Sequence, residues 1–190
     1  MASNELLLTE IQKLHDEFYA AQSKNIVFKD AQKIKCANTI TQQMDLDALM
    51  NSSFYTIQNT NHIFIDYTIF KLYANPEIYT RCVAYLISLF SDAIEKHGIF
   101  EVHLNLDTFT IASTNRYKDI IHIFLNSCLS NNTKFTEKLN KMHIYNIPLV
   151  FDNIKKMLNP FIHISVRPKI ITYTKAESAS RLQQIRDASA

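Results

Sequence analysis

Seven histidines and three cysteines are the residues of this 190-residue chain best equipped to hold a metal or attack a carbonyl, and their spacing argues against both uses. No two histidines stand three or four residues apart, the separation that sets two imidazoles on one helix face, and none lies beside a cysteine pair. No metal is therefore expected. Cys36, Cys82 and Cys128 are widely separated and odd in number, which leaves neither a zinc ribbon nor a disulfide framework and points to a reducing compartment. His103 and Asp107 fall on one predicted strand, but no activated serine or cysteine accompanies them at a recognisable spacing. Gly98 is the only glycine in the chain. Phosphate-cradling loops, dinucleotide fingerprints and the hydrolase nucleophile elbow all need several glycines for positive φ or close backbone approach, so those chemistries are excluded. Neither catalysis nor a cofactor is expected.

The spacing that does carry information lies between Leu149 and Leu158. Val150, Phe151, Ile154, Met157 and Leu158 recur at helical intervals and make one apolar stripe, with Lys155 and Lys156 beside it and Asn159-Pro160 as a stop. Core packing accounts for most such stripes. A second use is a lid, because Phe151, Met157 and Phe161 are flat or flexible side chains suited to lining an adaptable cavity. Lys155 and Lys156 would then meet an anionic membrane surface, each worth about 1 kcal/mol close to it. From Lys134 to Lys169 seven basic residues face only Glu137 and Asp152, a local net charge of +5. The whole chain carries +2, too balanced for a dedicated nucleic-acid binder.

The elements that must position this helix can be read in order. Residues 4–23 form an amphipathic helix, 24–44 read as two short strands or one broken helix, and Asp45 caps a short helix over 45–51. A strand apolar on most of both faces runs from His62 to Phe70, the pattern of an interior strand. Asn75 and Pro76 open a helix that Gly98 closes as its left-handed cap. A strand from Phe100 to Ile111 bends near Thr108, a second crossover helix spans 115–130, and a short helical piece covers 133–139. Met142 to Ile147 is a strand ended by Pro148, Arg167 to Tyr173 is another, and Lys175 to Asp187 is a terminal helix. Alternating strands and helices predict an α/β fold: a single, mostly parallel twisted sheet flanked by helices, with a short N-terminal helical extension.

Tyr145, Ile147, Pro148, Phe151, Asn159, Pro160, Phe161, Lys169 and Ile170 resemble, in type and spacing, the core of the CRAL-TRIO lipid-binding domain. The resemblance covers residues 45–185 and implies a lipid-binding domain over 45–190 preceded by an N-terminal helix and irregular extension over 1–44. It further implies a gating helix over 149–158 and a phosphoinositide headgroup held by Thr110, Ser113, Glu137 and Lys169. Ala112 stands where the family has a second hydroxyl, and the family's glycine-containing ending is missing.

The resulting expectation is a non-catalytic lipid-binding or lipid-transfer module. It would hold a phospholipid, a phosphoinositide first, or another hydrophobic ligand, and meet membranes transiently from the cytoplasm. The alternative is an interaction scaffold similar to the BCH branch of that family, binding small GTPases or forming homodimers. In that case Phe64, Tyr67, Phe109 and Tyr145 would fill the pocket. No signal peptide or membrane span is expected.

Overall fold

The structure is a computed structural model and describes residues 2–22, 29–130, 135–160 and 162–188. The chain opens with helices α1 (Ala2–Ala21), α2 (Lys29–Gln43) and α3 (Leu46–Ser53), followed by strands β1 (Phe54–Thr56) and β2 (His62–Asp66). Helices α4 (Tyr67–Tyr73) and α5 (Tyr79–His97) lead to β3 (Phe100–Asn105), and α6 (Ile111–Arg116), α7 (Lys118–Ser130) and α8 (Phe135–Lys138) to β4 (Leu139–Tyr145). Helix α9 (Phe151–Leu158), β5 (Ile170–Thr172) and α10 (Lys175–Ala188) complete it. The five strands lie in sequence order, β1 antiparallel to β2 and the other pairs parallel. This is the expected α/β architecture of one mostly parallel sheet with flanking helices.

Local signals in the sequence set most boundaries. The Asp45 carboxylate accepts from the amides of Asp47 and Ala48 and starts α3. Asn75 accepts from the Glu77 amide at 3.0 Å, with Pro76 in the first position of the 3-10 turn that feeds α5. Gly98 ends α5 at φ 77°, its amide bonded to the Ile94 carbonyl.

Several boundaries differ from the sequence reading, each for a local reason. The strand expected to run to Phe70 stops at Asp66, whose carboxylate accepts from the Thr68 amide at 2.9 Å and starts α4. A run apolar on both faces fits a buried helix as well as a buried strand, and here the cap decides. The strand expected to reach Ile111 stops at Asn105, whose side chain accepts from the Asp107 amide in a turn that continues through Thr108 at φ 66°. The second crossover helix is two helices, joined at Tyr117. Residues 29–43 form one helix, because Gln32, Cys36, Ala37 and Ile40 fall on one buried face. Residues 23–28 lie outside the described set. Arg167–Lys169 is a 3-10 turn, so the last strand begins at Ile170.

The strands β2 to β5 advance one place at a time, so right-handed crossovers bring their helices to one face of the sheet. That face and its helices form the main core, which is continuous with Ile11 of α1 and with Cys36 and Ile40 of α2. The opposite face is covered by α10, where Leu182 packs with Phe64 and Tyr145. Gly98→Ala should cost about 1 kcal/mol, because a Cβ there meets nothing within 4 Å and only the left-handed backbone is penalised. Urea unfolding checks this, with Gly98→Asn expected to cost less.

Candidate functional site

Alternation along the strands places Ile65, Val102, Leu104, Met142, Ile144 and Ile170 on the helix-bearing face, where they line a cavity of about 550 Å³. Leu86 and Phe90 of α5 and Ile120 and Phe124 of α7 wall it, and Phe151, Ile154 and Leu158 of α9 close it from the other side. Volumes of about 300–1,000 Å³ are usual for small-molecule sites. A sealed, dry void of this size would cost on the order of 13 kcal/mol at about 24 cal/mol per Å³, as much as a whole domain's stability. The space therefore takes an occupant, admits solvent or shrinks by movement of a wall.

Helix α9 is the most thinly packed of these walls. Among its residues only Ile154 is buried, at 1% exposure, whereas α5 buries six. Full burial of an aliphatic side chain is worth roughly 1.5–3 kcal/mol, so Ile154 with the half-buried Phe151 and Leu158 holds the helix by only a few kcal/mol. No side chain caps its N-terminus. Asn146 anchors the preceding loop, its amide donating to Ser178 Oγ at 2.8 Å and its side chain to Asn105 Oδ1 at 2.9 Å. On the far side the Arg167 guanidinium donates to the Asn159 carbonyl at 2.8 Å and ties down the helix C-terminus.

Polar groups also line the cavity along α9 and the connection that follows it. Lys155, His163 and Arg167 are exposed and Asn159 half-buried, so this edge of the lining is its solvent-facing mouth. The Lys155 ammonium has no partner among the described residues. A second recess of about 780 Å³ lies at the carboxyl ends of β3, β4 and β5 and shares Leu106, Phe109, Phe151, Lys155 and Thr172 with the cavity. It is bounded largely by exposed residues such as Thr108 and Leu149 of the loops and Lys175 at the start of α10, so only the smaller cavity can strip water from an apolar ligand.

The outer side of α9 exposes Asp152, Asn153, Lys155, Lys156 and Met157, and further apolar side chains are exposed in the segments that flank it. Leu149 is fully exposed, Val150 and Met157 are 39% and 42% exposed, and Ile164 follows at 74%. Val150 and Met157 thus leave the lining expected of them, while Phe151, Ile154 and Leu158 keep it; Phe161 lies outside the described residues. Lys155 and Lys156 are exposed among these apolar side chains.

The four expected headgroup residues are not brought together. Thr110 and Ser113 cap α6 reciprocally, with the Ser113 amide on Thr110 Oγ1 at 3.2 Å and the Thr110 amide on Ser113 Oγ at 3.3 Å. Ser113 is buried and also accepts from the Tyr67 hydroxyl at 2.9 Å. Glu137 and Lys169 lie at the other end of the sheet, before β4 and before β5. The strands between the two pairs are six or seven residues long, about 20 Å. The Lys169 ammonium donates to the carbonyls of Thr136, Glu137 and Leu139 at 3.0, 3.2 and 2.5 Å and fastens α8 to the last crossover. The mouth residues His163 and Arg167 were not singled out as ligand contacts from sequence, since nothing in their spacing ties them to a cavity formed by other elements.

The chain matches no protein-family model and no curated protein. Among the described residues, no helix is long and apolar enough to cross a membrane.

Two measurements follow from this geometry. Lys169→Met should lower unfolding stability by about 1.5–3 kcal/mol, the usual worth of charged hydrogen bonds, and leave ligand affinity unchanged. Burial pushes the cavity thiols of Cys82 and Cys128 up to about 12 and that of Cys36 to about 11. At pH 8 all three are thiols and poor nucleophiles. Iodoacetamide should therefore label them slowly in the native protein and fast in urea, as mass spectrometry would show.

Proposed function

We propose that the protein binds a lipid in the cavity beneath α9 and exchanges it with anionic membranes through that helix, without catalysing a reaction. The observation that carries this reading is the combination of an apolar cavity of about 550 Å³ with a weakly held closing helix. The outside of that helix carries Met157, Lys155 and Lys156, and Leu149 and Val150 are exposed just before it. The apolar side chains would enter the headgroup boundary and the lysines would meet acidic lipids, which is how interfacial helices bind. An acyl chain fits the cavity walls, and an anionic head fits the mouth, whose lining includes Arg167, His163 and Lys155, the last without a partner among the described residues. A phosphoinositide is one such ligand. We place its head at this mouth rather than at Thr110, Ser113, Glu137 and Lys169, which are spread between two ends of the sheet.

A CRAL-TRIO-like module fits the strand, proline, helix and strand order over 139–172 as well as the lipid reading. The scaffold alternative, which would bind a small GTPase or a second copy, expects a filled interior. Tyr67 and Phe109 do line the cavity but leave it open, and Phe64 and Tyr145 lie on the opposite face of the sheet. That open volume favours the lipid.

Native mass spectrometry of protein purified from cells should find about one lipid per chain. Leu104→Trp, which fills the cavity from its floor, should abolish uptake of a fluorescent phosphoinositide or fatty acid while the circular dichroism spectrum is kept. Replacing Lys155 and Lys156 together by Gln should weaken flotation with phosphatidylserine vesicles about 30-fold, two lysines at about 1 kcal/mol each. Repeated ligand-free preparations that also fail to take up either probe would sink the proposal.

A further inference from the structure

The sheet face turned away from the cavity carries a ladder of titratable rings that the lipid reading does not use. Parallel pairing sets His62 opposite Glu101 and His103 opposite His143, and alternation puts all four side chains on one face. The imidazoles of His62, His103 and His143 stack, with ring centroids 4.9 and 4.8 Å apart. His103 is only 6% exposed and both its nitrogens are engaged: Nδ1 lies 2.9 Å from the Tyr145 hydroxyl and Nε2 lies 3.1 Å from His62 Nδ1. Glu101 receives the Asn140 amide at 2.6 Å on one oxygen and faces His143 Nε2 at 3.3 Å with the other. His143 in turn meets the Tyr173 hydroxyl at 3.0 Å through Nδ1.

One nitrogen from each of His62 and His103 and one oxygen from Glu101 lie within 4.8 Å of one another. Two imidazoles and one carboxylate are a donor set found in open zinc sites and in non-haem iron sites. The nitrogen pair has the right separation. With metal–nitrogen bonds of about 2.0–2.1 Å, two such ligands stand roughly 3.3–3.4 Å apart at the tetrahedral angle and roughly 2.9 Å apart at a right angle. The observed 3.1 Å falls between these limits. The surrounding groups match what ligands need from their neighbours: a hydroxyl on the remote nitrogen of a ligating histidine, and hydrogen bonds on the ligating carboxylate.

We propose that His62, Glu101 and His103 bind one divalent first-row transition-metal ion, with Asn140, His143 and Tyr145 as positioning residues. His62 and Glu101 are half-buried, so a coordination position remains open to water on their side.

The test is titration of the chelator-treated 190-residue chain with Zn²⁺ by calorimetry and with Co²⁺ by visible spectroscopy. One equivalent should bind, with Co²⁺ showing the intense bands of four- or five-coordination. Glu101→Gln and His62→Asn, both at half-buried positions and both checked for fold by circular dichroism, should each lower Zn²⁺ affinity by at least about 100-fold. Tyr145→Phe should lower it about 10- to 100-fold at unchanged stoichiometry, as loss of an orienting partner does. Absence of stoichiometric binding, or wild-type affinity in Glu101→Gln and His62→Asn, would overturn the site and leave a ladder of hydrogen-bonded rings only.

Discussion

Because β2 to β5 advance in one direction and every crossover has the same hand, the sheet receives its crossover helices on one side. In a doubly wound fold the crossovers cover both faces and each strand can be apolar throughout. Here the two faces have different fates, and the residues of each strand divide accordingly. Val102 and Leu104 serve a hydrophobic interior while Glu101 and His103, interleaved with them, face a surface covered mainly by α10. The cavity and the ring ladder are two outcomes of that one topological fact.

On the crossover side, a broad sheet has to be covered by three connections of unequal quality. The connection from β2 to β3 supplies α5, nineteen residues long with six of them buried. The connection from β4 to β5 supplies only the eight residues of α9, with one buried. A short helix with prolines on both flanks and no N-terminal cap cannot fill the space that a long helix fills. The volume left between α9 and the strands is thus a consequence of how short a helix spans β4 to β5, and the same shortage leaves α9 with one buried residue.

On the other side, α10 covers Phe64, Tyr145 and Tyr173, and Arg181 stacks on the Tyr173 ring 4.5 Å from its centroid. Toward the amino ends of the strands the cover thins, and the imidazoles of His62, His103 and His143 follow the phenyl and phenol rings. Neighbouring imidazoles and phenols there satisfy one another, which lets His103 sit at 6% exposure without an unpaired nitrogen. A buried histidine between two others stays neutral because each added charge would meet both low polarity and its neighbours' fields.

The sequence alone determined what local rules govern. Asp45, Asn75 and Gly98 each carry their reason in one side chain or its absence, and the helices they bound were legible, as was the parallel α/β class. The apolar stripe of α9 was also plain, because periodicity reports which residues share a face. Periodicity does not report what that face meets. Whether Phe151, Ile154 and Leu158 would bury a solid core or border a cavity depended on how far the sheet extends beneath them, and whether Val150 and Met157 would join them depended on the tilt of a helix fixed by its flanking loops. The strand ends were hidden for a related reason: Tyr67, Ile69 and Phe70 satisfy strand and helix patterns alike, and Asp66 chooses by capping. Thr110 and Lys169 fitted a binding role by type, yet the fold spends both on backbone groups at opposite ends of the sheet. His62, Glu101 and His103 were the least visible of all. Helical spacing was the pattern that would have exposed histidine ligands within one element, whereas these three come from two strands and alternate at every second residue. Their meeting is set by the register of β2 against β3, a pairing across about forty residues that only the tertiary structure decides.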